Sequence, residues 1–469
     1  MSDKSGNGLL LVTPPKGLWK DAVEKPREST QPLGIAYIAA AVRQGGHPAE
    51  ILEAHALGLS GESIREKIES MRPKVVGISC LTPQWSDVQA AARIAKTVNE
   101  KIVTVVGGPH VTALPEETAA DPSVDIAVIG EGEETIQDIC NTVAAGGDLS
   151  SVKGIALEIG GNVVRTGPRP KITDLDSLSF PAHDLLPDPA TYNPLPTWGR
   201  RGHFSSILSG RGCPYYCSFC DVTAQQGKQY RLRSAGNIVD EMEWLNKDYG
   251  ISMFSFRDPS VVCHRKRLLE ICRLIRERGL DIVWNCNSRA DEVDLEMLVA
   301  MKQAGCYLIK YGIEVGNAEM IKSIKRMEKT QVEQAVSDTR RAGISPHGYF
   351  MFGFSDETEA TMEETAVFAR KLDLDSAGFM ILVPFPGTRE FERYQSEGRL
   401  LTKEWREYDY MNKPVYRNAN VTSDQIMRAH RRAYRRFYLR PRILALHLRK
   451  MASPQIFFNY LQAARQVFR

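Results

Sequence analysis

Twice along this chain, short apolar runs rich in β-branched residues alternate with longer stretches of helical period. No other feature narrows the fold as far, because a strand–helix–strand order sets its strands parallel and wraps them in helices. The first block spans residues 8–150 and reads LLLVTPP, GIAYIAAAVRQGG, PAEILEA, SIREKIESM, KVVGISCLT, DVQAAARIAKTVNE, IVTVVGG and DIAVIGEGEETIQDICNTVAAGG. The second spans 196–395, with strand candidates FSSILSG, ISMFSFRD, DIVWNCNSR, CYLIKYGIEVG, SPHGYFMFGF and SAGFMILVPF and helical stretches between them. Repeated β/α units of this kind predict a parallel barrel or part of one. Between the blocks, residues 151–195 are rich in Pro and Asp without helical period, which predicts a linker. Residues 396–469 read as helical. The expected chain is α/β: a doubly wound domain over 1–150, a linker over 151–195, a partial barrel over 196–395 and a helical region over 396–469.

Bulk properties set limits on this plan. A chain of 469 residues suggests two or three domains. Hydrophobic residues at 43%, charged residues at 25% and a net charge of +3 describe an ordinary soluble protein, with no charge signature for nucleic acid. No run of apolar residues is long enough to cross a membrane, and the polar start MSDKSGNG is not a signal peptide. Nine cysteines, six of them scattered singly, point to a reducing cytoplasm rather than a disulfide framework.

In parallel sheets, ligands bind at the carboxyl ends of the strands. In the first block those ends read Thr13-Pro14-Pro15, Ser79-Cys80-Leu81-Thr82, Gly107-Gly108-Pro109-His110 and Gly130-Glu131-Gly132-Glu133. They are small, Gly-rich or hydroxylated, so a bulky ligand can approach the backbone. Tight strand-to-helix turns would account for any one of them. The four together favour a ligand site.

In the second block, GCPYYCSFCD follows the first strand and places Cys213, Cys217 and Cys220 within eight residues. Barrel enzymes keep their chemistry at this end of the strands. Three thiolates from one loop can occupy three irons of a 4Fe–4S cluster and leave the fourth open. An open coordination position is what a catalytic metal needs. A zinc site with His203 or Cys263 as a distant fourth ligand, or three plain thiols, are the alternatives.

The stretch resembles the CxxxCxΦC signature of the radical S-adenosylmethionine superfamily, where Φ is an aromatic residue, here Phe219. The resemblance implies that the open iron chelates the amino and carboxylate groups of S-adenosylmethionine. Reductive cleavage then yields a 5′-deoxyadenosyl radical that abstracts hydrogen from substrate, and Phe219 packs on the adenine. It extends to the first block, which looks like the Rossmann-like cobalamin-binding domain of the cobalamin-dependent radical enzymes. Ser79-Cys80-Leu81 followed by Gly107-Gly108 matches the SxL and GG elements of such domains. Leu33-Gly34 and Gly130-Glu131-Gly132-Glu133 are also typical. RRFYLRPR near the C-terminus is similar to the subgroup of the anaerobic magnesium-protoporphyrin ester cyclase and hopanoid-linked enzymes. The resemblance implies cobalamin contacts from Thr13, Pro14, Ser79, Leu81, Thr82, Gly107, Gly108, Gly130 and Glu131. One departure matters: Glu53-Ala54-His55-Ala56-Leu57-Gly58 follows the second strand, whereas a lower-ligand histidine in DxHxxG follows the first. His55 therefore reads as a loop residue, and cobalamin is expected without a protein imidazole. A domain that has lost cobalamin is the alternative.

Strand alternation predicts which barrel residues face inward. Asn285, Asn287 and Arg289 form one polar phase, and Lys310, Gly312 and Glu314 form another. Tyr307, Ile309, Tyr311 and Ile313 suit the helix layer. Expected S-adenosylmethionine contacts are Phe219, Arg233, Ser234, Asp258, Asn287, Arg289 and Glu314, with Arg231 beside them, and GIEVGN sits where related enzymes carry a GxE element. For each of these an internal ion pair is the competing explanation. Tyr215, Tyr311, Tyr349, Cys286 and Cys306 are candidates to donate hydrogen or shape the pocket. Residues 428–450 carry nine Lys/Arg interleaved with Tyr, Phe and Leu. That is either a solvated face with a packing stripe or a peripheral membrane contact, and Pro441 should break the helix. The expected activity is a radical enzyme that methylates an unactivated carbon of a natural product, lipid or tetrapyrrole. It would use a 4Fe–4S cluster, S-adenosylmethionine, cobalamin and an external electron donor such as flavodoxin or ferredoxin. Radical cyclisation, oxidation or dehydration without methyl transfer is the second expectation, and a non-catalytic iron–sulfur or zinc module the third.

Overall fold

A computed structural model describes residues 8–26, 28–194 and 202–450. The chain divides into two compact units. The first comprises residues 1–193 with 221–231 and 404–406, and the second 194–220, 232–403 and 407–469. The expected stretch FFNYLQAARQVFR lies outside the described residues.

In the first unit, β1 (Leu9–Val12), β2 (Ala49–Leu52), β3 (Val75–Ser79), β4 (Val103–Gly107) and β5 (Ile126–Val128) form a parallel sheet in the order 2-1-3-4-5. β1 is buried at all four positions because helices cover both faces. Helix Leu33–Gln44 packs with Glu133–Ala145, and Gly61–Met71 with Trp85–Val98. Leu9, Leu11, Ile35, Val42, Val105, Ile136 and Ile139 make one core under this sheet. The strand order reverses between β1 and β3, which opens a crevice at their carboxyl ends.

The sheet does not stop at residue 150. β6 (Ile155–Ile159) and β7 (Asn162–Arg165) add an antiparallel hairpin beside β5. The expected linker thus begins with sheet. The turn is Gly160-Gly161, both at positive φ (59° and 85°), the conformation a two-residue hairpin needs. Only the stretch beyond it keeps the irregular character of the linker, with short turns at Leu175–Ser177, His183–Leu185 and Pro189–Thr191.

The second unit holds the six expected strands: β8 (His203–Ile207), β9 (Ile251–Phe256), β10 (Val283–Ser288), β11 (Cys306–Glu314), β12 (Ser345–Phe352) and β13 (Ser376–Ile381). All pair in parallel with their sequence neighbours, giving a curled half-barrel. Its edge is covered. Helix Ser423–Tyr438 lies along β13, where the Tyr438 and Tyr434 hydroxyls accept from the Ala377 and Phe379 amides at 3.1 and 3.3 Å, and His430 Nε2 meets the Phe379 carbonyl at 3.0 Å. The aromatic stripe of the basic segment therefore seals strand groups that would otherwise stay open. The helix ends at Tyr438, and a new one, Pro441–Lys450, starts on the expected proline. Among the described residues no helix is long and apolar enough to cross a membrane.

Candidate active site

The loop carrying the three cysteines is anchored before it begins. Ser209, just past β8, donates its amide and hydroxyl to Asp258 at 3.0–3.1 Å. Its carbonyl and hydroxyl are held by Arg267 from helix Arg265–Glu277. Asp258 is 1% exposed, and burial raises its pKa against the pull of Ser209 and Arg267. Gly212 then takes a φ of 95°, open to glycine without strain, and turns the chain into the loop.

Other strand ends fasten the loop. The Tyr215 hydroxyl binds Glu292, which Ser260 also holds, and the Arg289 guanidinium lies 4.0 Å over the Tyr215 ring. Ser218 donates to Glu390 Oε1 at 2.8 Å, and Phe219 packs edge-on against Phe354 at 5.5 Å. Cys213, Cys217 and Cys220 are all half-buried, an exposure that only Cys263 shares among the other six cysteines. Burial raises the Cys213 pKa, and the neighbouring Cys217 raises it further, while Lys325 lowers it. Burial opposes the Lys325 charge, yet Glu314 and Cys217 hold its pKa above the ordinary lysine value.

Glu314 closes the site from β11. It is 7% exposed, pairs with Lys325 at 3.2 Å and sits at φ 68°, left-handed backbone that costs a non-glycine residue ~1–3 kcal/mol. Gly312 makes room for it, since a Cβ there would lie 2.7 Å from Glu314 Oε1. Lys325 lies on helix Ala318–Lys325, so no local signal in the sequence links it to Glu314.

The expected contacts divide into two groups. Phe219, Asn287, Arg289 and Glu314 gather around the loop or the carboxyl ends of the strands, and Asn287 donates to the Asp258 carbonyl at 3.1 Å. Arg233 and Ser234 do not join them. Arg233 is bound to Glu241, to Asn237 and to the Leu208 carbonyl at 2.8 Å, and Ser234 caps helix Ala235–Tyr249. Their side chains brace that helix. Arg231 belongs to the first unit, paired with Glu131 at 2.7 Å.

The alternation of β10 and β11 largely holds. Trp284 Nε1 donates to the Ala304 carbonyl at 2.7 Å and Tyr311 meets Thr339 at 2.7 Å, so this phase faces the helices. Cys286 and Cys306, beside the helix residue Cys272, are fully buried there with them, which removes Tyr311, Cys286 and Cys306 as candidates from the inner face. Asn285 turns inward and bonds Ser255 at 2.8 Å. Tyr307 is the exception. A register shift between Trp284 and Asn285 leaves one extra residue in β11, and Tyr307 swings to Asn285 at 3.0 Å. His203 opens β8 at the end opposite the cysteines, so it cannot complete a zinc site with them.

In the first unit, the β3 and β4 loops interlock. Cys80 donates its amide to the Gly107 carbonyl at 2.8 Å, and a Cβ on Gly108 (φ 115°) would lie 2.7 Å from the Cys80 carbonyl. Ser79 and Gly107 are half-exposed, Leu81 is 49% exposed, and Gly130 has no heavy atom within 4 Å of a Cβ position. Pro14 and Thr82 are buried beside this ledge. Thr13 and Glu131 do not face it freely: Thr13 donates to Glu53 at 2.6 Å and Glu131 holds Arg231 and the Ile172 amide. His55 follows β2, and burial lowers its pKa, so its imidazole is neutral near pH 7. His110, which ends the β4 stretch Gly107-Gly108-Pro109-His110, is fully buried between Trp85 and Trp405.

The B12-binding domain family matches residues 19–140, and the radical SAM superfamily matches residues 207–369. The protein named uncharacterized methyltransferase PH0819 of Pyrococcus horikoshii is 36% identical over 93% of this chain and 93% of its own. The chain belongs to the cobalamin-binding radical S-adenosylmethionine family. The anaerobic magnesium-protoporphyrin IX monomethyl ester cyclase of Rubrivivax gelatinosus is 30% identical over 87% of this chain and 74% of its own. The fold also matches the cobalamin-dependent S-adenosylmethionine radical enzyme OxsB, with a TM-score of 0.75 at 17% identity over 99% of this chain and 72% of that one.

As a radical S-adenosylmethionine enzyme of this family, the protein uses a 4Fe–4S cluster, S-adenosylmethionine and cobalamin. The residues present fit these groups. Three partly exposed thiols on one loop can supply three soft ligands. The exposed Leu81 beside bare glycine backbone suits a large flat ring.

Proposed function

We propose that this enzyme methylates an unactivated carbon of a small molecule, within the classes of natural product, lipid or tetrapyrrole. The observation that carries the reading is the three-cysteine loop held at the carboxyl end of β8 by residues from several later strands. The cofactors supply reductive cleavage of S-adenosylmethionine to a hydrogen-abstracting 5′-deoxyadenosyl radical, and a methyl group for transfer. The chain's part is to hold and orient. Cys213, Cys217 and Cys220 are the thiolate ligands. Phe219 offers an aromatic face for adenine, and Glu314 a fixed carboxylate for the nucleoside. Asp258, Ser209 and Arg267 keep the loop in register with β8, and Asn287 ties β10 to the same point. Gly107, Gly108, Ser79 and Leu81 form the ledge for cobalamin.

Methyl transfer is favoured over cyclisation because the relative named a methyltransferase is more similar, over more of both chains, than the one named a cyclase. An external reductant such as flavodoxin or ferredoxin supplies the electron, in a cytoplasmic setting. A peripheral membrane contact would have to use the exposed arginines of helix Ser423–Tyr438, since its aromatic side covers β13. Anaerobic incubation with S-adenosylmethionine, reductant and cobalamin tests the reading: 5′-deoxyadenosine must form. If it forms in a chain that takes up no cobalamin, methyl transfer is wrong and a radical rearrangement takes its place.

A further inference from the structure

Four side chains stand level across the half-barrel. Asn287 pairs in register with Lys310, Lys310 with His347, and His347 with Ser376. The alternate phase faces the helices through Trp284 and Tyr311, so this row lies on the concave face. One step nearer the carboxyl ends, Gly312, Tyr349 and Gly378 form the next row. Tyr349 meets the His347 ring edge-on at 4.6 Å, and a Cβ on Gly378 would lie 3.0 Å from Tyr349 and 3.5 Å from His347 Nε2. The two glycines leave bare backbone on both sides of the tyrosine.

The row is basic. Lys310 is 2% exposed and His347 6%, while Arg257, just past β9, is exposed. Burial lowers the Lys310 pKa to about 7, and the charge of Arg257 acts in the same direction. His347 Nδ1 lies 2.7 Å from Ser376 Oγ, and its Nε2 is buried with no hydrogen-bond partner among the described residues. With the Ser376 hydroxyl donating to Nδ1, Nε2 carries the hydrogen and offers a donor to the concave face. Burial, and the neighbouring Lys310, hold the His347 ring neutral, so it serves as a donor beside the positive charge of Lys310 and Arg257, and an oxyanion can accept from all three.

We propose that Lys310, His347 and Arg257 bind an oxyanion of the substrate, a carboxylate or a phosphate, so that the enzyme acts on an acidic small molecule. The inference rests on the functional reading above, because it takes the concave face as the substrate side. Tyr349, flanked by Gly312 and Gly378, gives the adjoining part of that molecule a flat surface.

Calorimetric titration of the reconstituted holoenzyme tests it, with S-adenosylmethionine present to fill its own carboxylate site. The probes are inorganic phosphate and, separately, acetate, at constant ionic strength. The expected result is one saturable site for at least one probe. Lys310→Met and His347→Asn should each weaken it by at least about tenfold, and Lys310→Arg should retain it. Tighter phosphate binding identifies a phosphorylated or phosphonate substrate, and tighter acetate binding a carboxylic acid. Methionine replaces a buried ammonium with an apolar chain of similar length, so Lys310→Met should fold, and His347→Asn keeps a partner for Ser376. No saturable site in the wild type, or variants that bind as the wild type does, would overturn the proposal. Assay of 5′-deoxyadenosine in the same samples separates the two claims. Anion binding without it leaves the anion site and removes the radical reading, while 5′-deoxyadenosine without anion binding removes the anion site alone.

Discussion

Glu314 and Lys325 are buried together, with side chains 9% and 8% exposed, so neither is easily left alone. Lys325→Met should destabilise the protein by about 3–5 kcal/mol, because it strands a buried carboxylate at a strained backbone position. Adding Glu314→Gln should recover most of that loss. Thermal melts of the two single variants and the double variant check the coupling, and additive losses would mean the pair does not act as a unit. Lys310 gives a pH signature. Its pKa is about 7 when folded and 10.5 by default, so the unfolded chain binds more protons between those values. Stability relative to Lys310→Met should therefore rise with pH from about 7 to about 10 and stay level below 7. Parallel melts across that range test this, and a flat difference would contradict it.

At the scale of elements, the helix that seals β13 makes a separable prediction. Tyr434→Phe and Tyr438→Phe each remove the acceptor for one strand amide, at a cost of about 1–3 kcal/mol. Hydrogen exchange at Phe379 should quicken in the first variant and at Ala377 in the second. Unchanged protection would show that the edge is closed some other way. The six strands of the half-barrel and the five of the doubly wound sheet were legible because each is a short apolar run set between helical periods. The hairpin β6–β7 was also written plainly, as IALEI-GG-NVVR, but the Pro-rich run behind it masked the signal. The helix-facing assignment of Tyr307 failed because one extra residue in β11 reverses the alternation at that point. No propensity announces such a shift.

At the scale of the molecule, the chemistry was readable where ligands come from one loop and unreadable where they come from several strands. Cys213, Cys217 and Cys220 announce themselves by spacing. Arg233 and Ser234 looked equally suitable beside them, yet their partners Glu241 and Asn237 lie on the helix that follows. The row from Asn287 to Ser376 needs the register of four strands before it exists at all. The two family matches, 19–140 and 207–369, fall one in each block of alternation. The measurement that tests the account most directly is anaerobic turnover of the reconstituted, cobalamin-loaded chain with S-adenosylmethionine and a reductant, run beside Cys217→Ala. The account predicts 5′-deoxyadenosine from the wild type, and neither cluster absorbance nor 5′-deoxyadenosine from the variant. A wild-type chain that carries a full cluster yet leaves S-adenosylmethionine uncleaved would contradict it.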